Sequence, residues 1–356
     1  PLTGFFIILN GILAPRISDD AVCTRVVERM DVMIGIDVSK AKLDCLWLKD
    51  LNTLKVKTKV LANTADGHRA LINWVQKNTG ACLSDCSFIM EATGIYHEAL
   101  AYALHESGAN VYVVNPARAR DFAKSLGTRG KTDKKDSMVL ARFGAVNTLQ
   151  PWQPEAPEIR TLRALLARLE ALDKDIQREE NRLEKAEISQ ASAQVIESIQ
   201  LMLKALKDEK RRLEHQINDH IDGHPTLKND QALLQTIPGI GRVLSRVMMA
   251  VIRSRNFENA RQCAAYLGLN PVPWESGSSI KGPPRMSKAG PSLIRAKLYM
   301  GAIVASQWNP DIKAHRDRMI ARGKSKMSAL GGAMRKLVHI CFGVLKQQTE
   351  YVPQMT

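Results

Sequence analysis

From Met33 to about residue 150, apolar and polar positions alternate in short runs. VMIGIDV, KLDCLWLKD and TLKVKTKVLAN have the period of strands. GHRALINWVQKN then follows at helical spacing, CSFIMEA as a strand, HEALAYALHESG as a helix and NVYVVNP as a strand. Three strands followed by α/β alternation predict a mixed sheet flanked by helices. PWQPEAP, with Pro151, Pro154 and Pro157, punctuates its end. From residue 158 the period changes: Leu162, Leu165, Leu169, Leu172, Ile176 and Leu183 recur at steps of three and four or seven, amid dense charge. After EISQASAQ the pattern resumes with Ile199, Leu203, Leu206, Leu213 and Ile217, which predicts a helical hairpin with coiled-coil seams. Such seams suit either self-association or packing on the body of the chain. Beyond residue 226 the pattern is mostly helical.

Composition changes this picture at one point. With 356 residues, 45% of them hydrophobic and 24% charged, the chain can form two or three globular domains. Its formal net charge of +15 is unusual, and it is regional: residues 226–356 hold 20 Lys and Arg against 6 Asp and Glu. A concentration of that size points to a polyanion, since each neutralised phosphate releases counterions. The six cysteines form no pair of knuckles with matching histidines, so neither a zinc site nor a disulfide framework is signalled, and a reducing cytoplasm is expected. GFFIILNGILAP near the start is too short to span a bilayer. Met30 or Met33 is the more natural start, and residues 1–32 are expected to be an extension without its own fold.

Candidate chemistry lies in four places. Asp37 ends one apolar strand and Glu91 another, and a carboxylate in that position is costly unless paired or metal-bound. Asp133 and Asp136 lie three apart at a helix start and share a face. Four acids on three elements could hold two hard divalent cations, although each could also be a capping or charge-paired residue. Ser287, between Arg285 and Lys288, is either a nucleophile in a positive setting or a loop residue near a helix start. PGIG followed by Arg242 is either a phosphate cradle or a tight turn between helices.

IGIDVSKAKLD, MEATGIY, VVNPARARDFAKSLGTRGKTDKKDSMVLA, LLQTIPGIG, AAYLGLNPVPWESGSS and RMSKAGPSLIRAKLYM together resemble, in order, the motifs of the DEDD-type insertion-sequence transposases of the IS110 family. The resemblance implies an α/β plus all-α chain: an RNase H-like (RuvC-like) domain at 33–155, a coiled-coil dimerisation region at 156–225, a mostly helical transposase domain at 226–346 and a tail at 347–356. It implies Asp37, Glu91, Asp133 and Asp136 as catalytic ligands of Mg²⁺, with Mn²⁺ as a substitute. It also implies Ser287 as a nucleophile that forms a covalent 5′-phosphoserine link to DNA. Arg242, Arg285 and Lys288 are the expected nucleic-acid contacts.

The implied partners are donor and target double-stranded DNA, a structured bridge RNA and further copies of the chain. The copies would form a dimer, and a tetramer in the synaptic complex, with the site completed between protomers. A bacterial cytoplasmic location with nucleoid association follows. On residues alone, two other readings stay open. One is a Mg²⁺-dependent resolvase or nuclease in which Ser287 is structural. The other is an architectural nucleic-acid-binding protein whose acids hold no metal.

Overall fold

The structure, a computed structural model, describes residues 32–92, 94–127, 133–276 and 280–354, with the backbone alone described for residues 133, 134, 274–276, 280, 281 and 283. The expected upstream segment lies outside these residues, apart from Val32. The chain divides into two compact units between Pro154 and Glu155.

The first unit contains β1 (Val32–Val38), β2 (Lys42–Asp50), β3 (Lys55–Ala62), α1 (Ala65–Thr79), β4 (Cys86–Glu91), α2 (Glu98–Glu106), β5 (Asn110–Val114), α3 (Pro116–Ser125) and α4 (Asp133–Val146). The strand order is β3-β2-β1-β4-β5. The first three strands are antiparallel, and β1, β4 and β5 run parallel. This is the mixed sheet that the alternating pattern leads one to expect, in the RNase H-like arrangement that the family resemblance implies.

Period 2 divides β1 between two cores. Ile34, Ile36 and Val38 pack with Leu71, Val75, Leu100 and Leu104 of α1 and α2. The other sheet face carries Leu46 and Leu48, which pack with Ala141 of α4. Phe88, Ile89 and Met90 are fully buried, as a central parallel strand covered on both faces requires. The edge strand β3 is exposed over most of its length and carries three lysines, which discourage pairing with another chain.

The second unit opens with α5 (Pro157–Ile188) and α6 (Ala193–Asp222), the expected hairpin. Its arms are tied by Lys207–Glu180 at 2.8 Å and Lys210–Asp173 at 2.7 Å. The seam residues Leu162, Leu172, Leu213 and Ile217 are buried in one core with Leu234, Met248, Leu298 and Leu337 of the following helices. The base of the hairpin is thus anchored in this chain's own core, and exposed apolar side chains are found toward its tip: Ile188, Val195, Leu201 and Met202.

Next come α7 (Pro225–Gln235), α8 (Arg242–Arg253), α9 (Ala260–Tyr266), a hairpin of β6 (Pro271–Ser276) and β7 (Ile280–Met286), α10 (Ser292–Trp308), α11 (Pro310–Ala321) and α12 (Lys326–Gln347). Asp230 of α7, fully buried, takes a two-pronged ion pair from Arg253 at 2.6 and 2.8 Å and a third bond from Gln348. These bonds lock the middle of α7 to the ends of α8 and α12. Among the described residues no helix is long and apolar enough to cross a membrane.

Candidate active site

Strand register places the acids. β1 and β4 pair in parallel from Val32–Cys86 to Ile36–Met90. One step further, Asp37 and Glu91 stand side by side, about 4.8 Å being the usual strand spacing. Both are half-buried. Period 2 puts Asp37 on the face of Gly35, and Glu91 on the face of Ile89.

That face belongs to α4. A Cβ at Gly35 would stand 2.0 Å from the Ser137 carbonyl oxygen, and one at Gly144 would stand 2.6 Å from Ile89 Cγ1. The Gly144 position also lies against Met33. Ser137 therefore sits over the middle of β1 and Gly144 over its start, so α4 runs antiparallel to β1 and its first turn points toward the Asp37 end. Ser137 Oγ donates to the Asp44 carbonyl at 2.7 Å, fixing the helix along the sheet. The backbone of Asp133 heads this helix, one turn before Ser137, and Asp136 immediately precedes Ser137. From Ser137, one turn back is about 6 Å along the helix. The two residues from Gly35 to Asp37 span about 6.6 Å, so these positions lie at matching heights.

Asp44, which does not stand out in the sequence, joins this group. Asp44 pairs with Asp37 across the β1–β2 ladder, so its side chain shares the Asp37 face. It forms an ion pair with Lys42 at 3.1 Å. The signal was available in KLD, whose aspartate follows a tight turn from IGID. Aspartate and glutamate oxygens are the donor set of a hard divalent cation, so the residues fit the metal implied by the resemblance. Among the described residues no group of three or more His, Cys, Asp or Glu is arranged to hold a metal; the Asp133 side chain lies outside them.

Ser287 is placed by turn chemistry. It follows β7 directly and is exposed. Its N–H donates to the Asn270 carbonyl at 2.9 Å, and the Lys288 N–H donates to that of Gly268 at 3.1 Å. Gly268 (φ +70°) and Gly290 (φ +80°) allow two turns to interlock: a Cβ on the first would stand 2.0 Å from the Ala289 oxygen, and on the second 2.1 Å from the Tyr266 oxygen. Arg295 braces both turns, its Nη1 donating to the carbonyls of Ala289 (2.9 Å), Gly290 (3.0 Å) and Leu267 (3.3 Å).

The helix that follows begins after Pro291 with no side-chain cap, so Ser287 is not its cap. Among the described residues its Oγ accepts one long local bond, from the Ala289 N–H at 3.3 Å. Arg285 and Lys288 line a cavity beside it. The buried thiols of Cys45 and Cys263 are poor rivals as nucleophiles, since burial pushes both up to about 12.

Arg242 stands apart. It begins α8 and, with Arg246, donates to Asn218 Oδ1. The PGIG turn before it is used for packing: Gly239, at φ +102°, has room for a Cβ only 2.6 Å from Ala305 and 2.8 Å from the Gly301 carbonyl of α10.

Comparison with known proteins decides the family. A transposase model of the DEDD, IS110 type matches residues 34–186, and one described as Transposase IS116/IS110/IS902 family matches residues 231–317. The pilin gene-inverting protein of Moraxella bovis is 33% identical over 331 residues, 89% of this chain and 97% of that protein. The chain belongs to the IS110 family of transposases. It is therefore an enzyme that cleaves and rejoins DNA. The transposase is also 29% identical over 162 residues to the insertion element IS110 43.6 kDa protein of Streptomyces coelicolor, 45% of this chain and 39% of that one. A Thermus thermophilus RuvC structure aligns at 15% identity with a TM-score of 0.26, covering 34% of this chain and 99% of that one. The RNase H-like assignment of the transposase rests on its strand order rather than on that alignment.

Proposed function

We propose that this transposase is an RNA-guided recombinase in which Ser287 attacks DNA and the acids of the first unit hold Mg²⁺, or Mn²⁺ in its place. The observation carrying this reading is the turn at Ser287. It is over-determined by two positive-φ glycines and a three-carbonyl brace, yet presents an exposed hydroxyl with one weak partner beside two cations. A serine kept only for structure needs no such support.

The Ser287 oxygen forms a bond to phosphorus while the bond to the 3′ oxygen breaks. The serine loses its proton and the departing 3′ oxygen gains one. The resulting 5′-phosphoserine retains a phosphodiester, so attack by another 3′-hydroxyl reseals DNA and frees the serine. Arg285 and Lys288 supply positive charge to the phosphoryl oxygens as charge builds. Asp37, Glu91, Asp133 and Asp136 would hold the cation, which when bound supplies Lewis-acid charge to a phosphoryl oxygen. Asp44 would orient this set through its pairing with Asp37.

The domain assignment 33–155, 156–225 and 226–346 belongs to the same reading. So does self-association through the hairpin into a dimer and a synaptic tetramer, along with a bridge RNA that selects donor and target by base pairing while the protein holds shape and backbone. The regional charge of residues 226–356 supports a polyanion partner on that side.

The test incubates labelled DNA and the cognate RNA with the protein, denatures, digests with protease and maps the modified peptide by mass spectrometry. Ser287 linked through its oxygen to the 5′-phosphate of a deoxynucleotide is expected, and Ser287→Ala should abolish both adduct and strand transfer. Cleavage without any adduct would establish the hydrolytic alternative, a RuvC-like nuclease or resolvase.

A further inference from the structure

Beside Ser287, the β6–β7 hairpin and helices α9 to α12 enclose a cavity of about 1460 Å³. Pockets for single small molecules run about 300–1,000 Å³, so this one has room for part of a polymer. Among the described residues, eight arginines and lysines line it and no carboxylate does. Arg261, Lys288, Arg322 and Lys324 are exposed around its mouth, and Lys336 is half-buried deeper in. An imidazole responds to such a field. Burial, with Arg318, Lys336 and Arg322, holds His315 below the usual range, and burial, with Arg335, Lys336 and Arg261, does the same to His339. An anion is the ligand that relieves this repulsion.

The interior is of another character. Leu269 and Met334 are buried in the wall, with Met286, Met319, Tyr299 and Leu330 half-buried around them. Gly331 and Gly332 lie inside α12, where glycine weakens a helix. A Cβ at Gly331 would stand 3.0 Å from Met286 Cε, and one at Gly332 would stand 2.4 Å from Met319 Sδ. The two glycines let these methionines lie flat against the helix and leave the space in front of them open. Phosphates alone would not need a wall of polarisable sulfur and ring, which suits the face of an aromatic base. A stacked duplex hides those faces. The residues on both sides of Ser287, Met286 and Lys288, belong to the lining, so a strand that reaches the serine continues into the cavity.

We propose that this cavity receives a nucleotide turned out of the DNA stack next to the phosphate that Ser287 attacks, with its base against the methionine wall and its phosphates under the cationic rim. The inference rests on the reading of Ser287 as nucleophile. Removing one base from the stack beside the scissile phosphate would hold the strand in place during exchange, whatever its sequence.

The probes are a single-stranded deoxy-oligonucleotide, the same backbone with abasic sites, and its ribo counterpart, titrated against full-length Ser287→Ala protein. An abasic backbone should bind at least tenfold more weakly. Ala296→Trp, which fills the cavity from α10, should remove that difference while circular dichroism stays unchanged; Lys336→Gln should weaken both oligonucleotides by the same factor. A 5-iodouracil substitution should photo-crosslink to Met286, Tyr299, Met319 or Met334. Equal affinity for intact and abasic DNA, crosslinks only on rim residues, or a base effect seen with the ribo-oligonucleotide alone would overturn the proposal. An abasic effect in Ser287→Ala alongside a wild-type protein that forms no adduct would leave the cavity reading standing and remove the nucleophile.

Discussion

The two units hold their candidate chemistry by different means. In the first, Asp37, Asp44 and Glu91 are set by ladder register, and α4 is set over them by Gly35, Gly144 and the Ser137–Asp44 bond. In the second, Ser287 hangs on interlocked turns that need positive φ at Gly268, Lys288 and Gly290. Ladders are cooperative and continuous with a buried core, so a defect spreads through the sheet. Turns are local, so a defect there should damage function before stability.

The sharpest break in that comparison is chemical. Asp37→Asn should leave folding and DNA binding intact while strand exchange falls by more than about 100-fold, the loss already typical of removing a ligand's outer partner. Retained exchange in Mg²⁺ with the purified variant would remove Asp37 from the metal site. Next is the contrast in glycines. Gly35→Val drives a side chain into the Ser137 carbonyl and should destabilise the first unit by about 3 kcal/mol or more, lowering its denaturant midpoint. Gly268→Ala also clashes with backbone, but should reduce adduct formation more than it moves the midpoint of the second unit. If both glycines behave alike in denaturation, turn and ladder are not distinct supports.

Self-association gives a smaller effect. Glutamates at Leu201 and Met202 each remove an exposed apolar side chain, whose full burial would contribute about 1.5–3 kcal/mol. Light scattering should then show a lower mass for the double variant, and an unchanged mass would place the contact elsewhere.

The smallest effect is a pH dependence of the first unit. Burial lowers the proton affinity of His68 and His97. The unfolded chain then binds more protons than the folded one below the usual histidine value of about 6.5, so stability falls as pH drops through that value and is flat above it. Denaturant midpoints for the first unit at pH 5 and 8 should differ in that direction.

How much of this was legible depended on the kind of support. The five strands and the two long helices followed from period, because IGID, CSFIME and the leucine seam are each read from adjacent residues. Asp37 and Glu91 stood out as acids ending apolar runs. Their placement on one face, and Asp44 beside them, depended on register, which is a relation between strands and is not contained in any one of them. The β6–β7 hairpin is harder to see: PVPWESGSSIKGPPRM is rich in proline, which is depleted in strands, and it lies within a region whose pattern is mostly helical. Arg295 gave no signal, since an arginine inside a helix looks like a solvated charge until its three carbonyl partners are known. PGIG pointed to a close backbone approach, and the approach is to α10.

Lys288 has an implication for anyone who would improve this protein. It is a lysine at φ +55°, a conformation that costs a residue with a Cβ about 1–2 kcal/mol and costs glycine nothing. A designer optimising for thermal resistance would replace it first, gain stability, and strip a cation from the doorstep of Ser287. Heat tolerance and turnover should therefore pull against each other at this one position. A library selected only for survival at high temperature should drift toward glycine there, whereas one selected for recombination should keep the strained lysine.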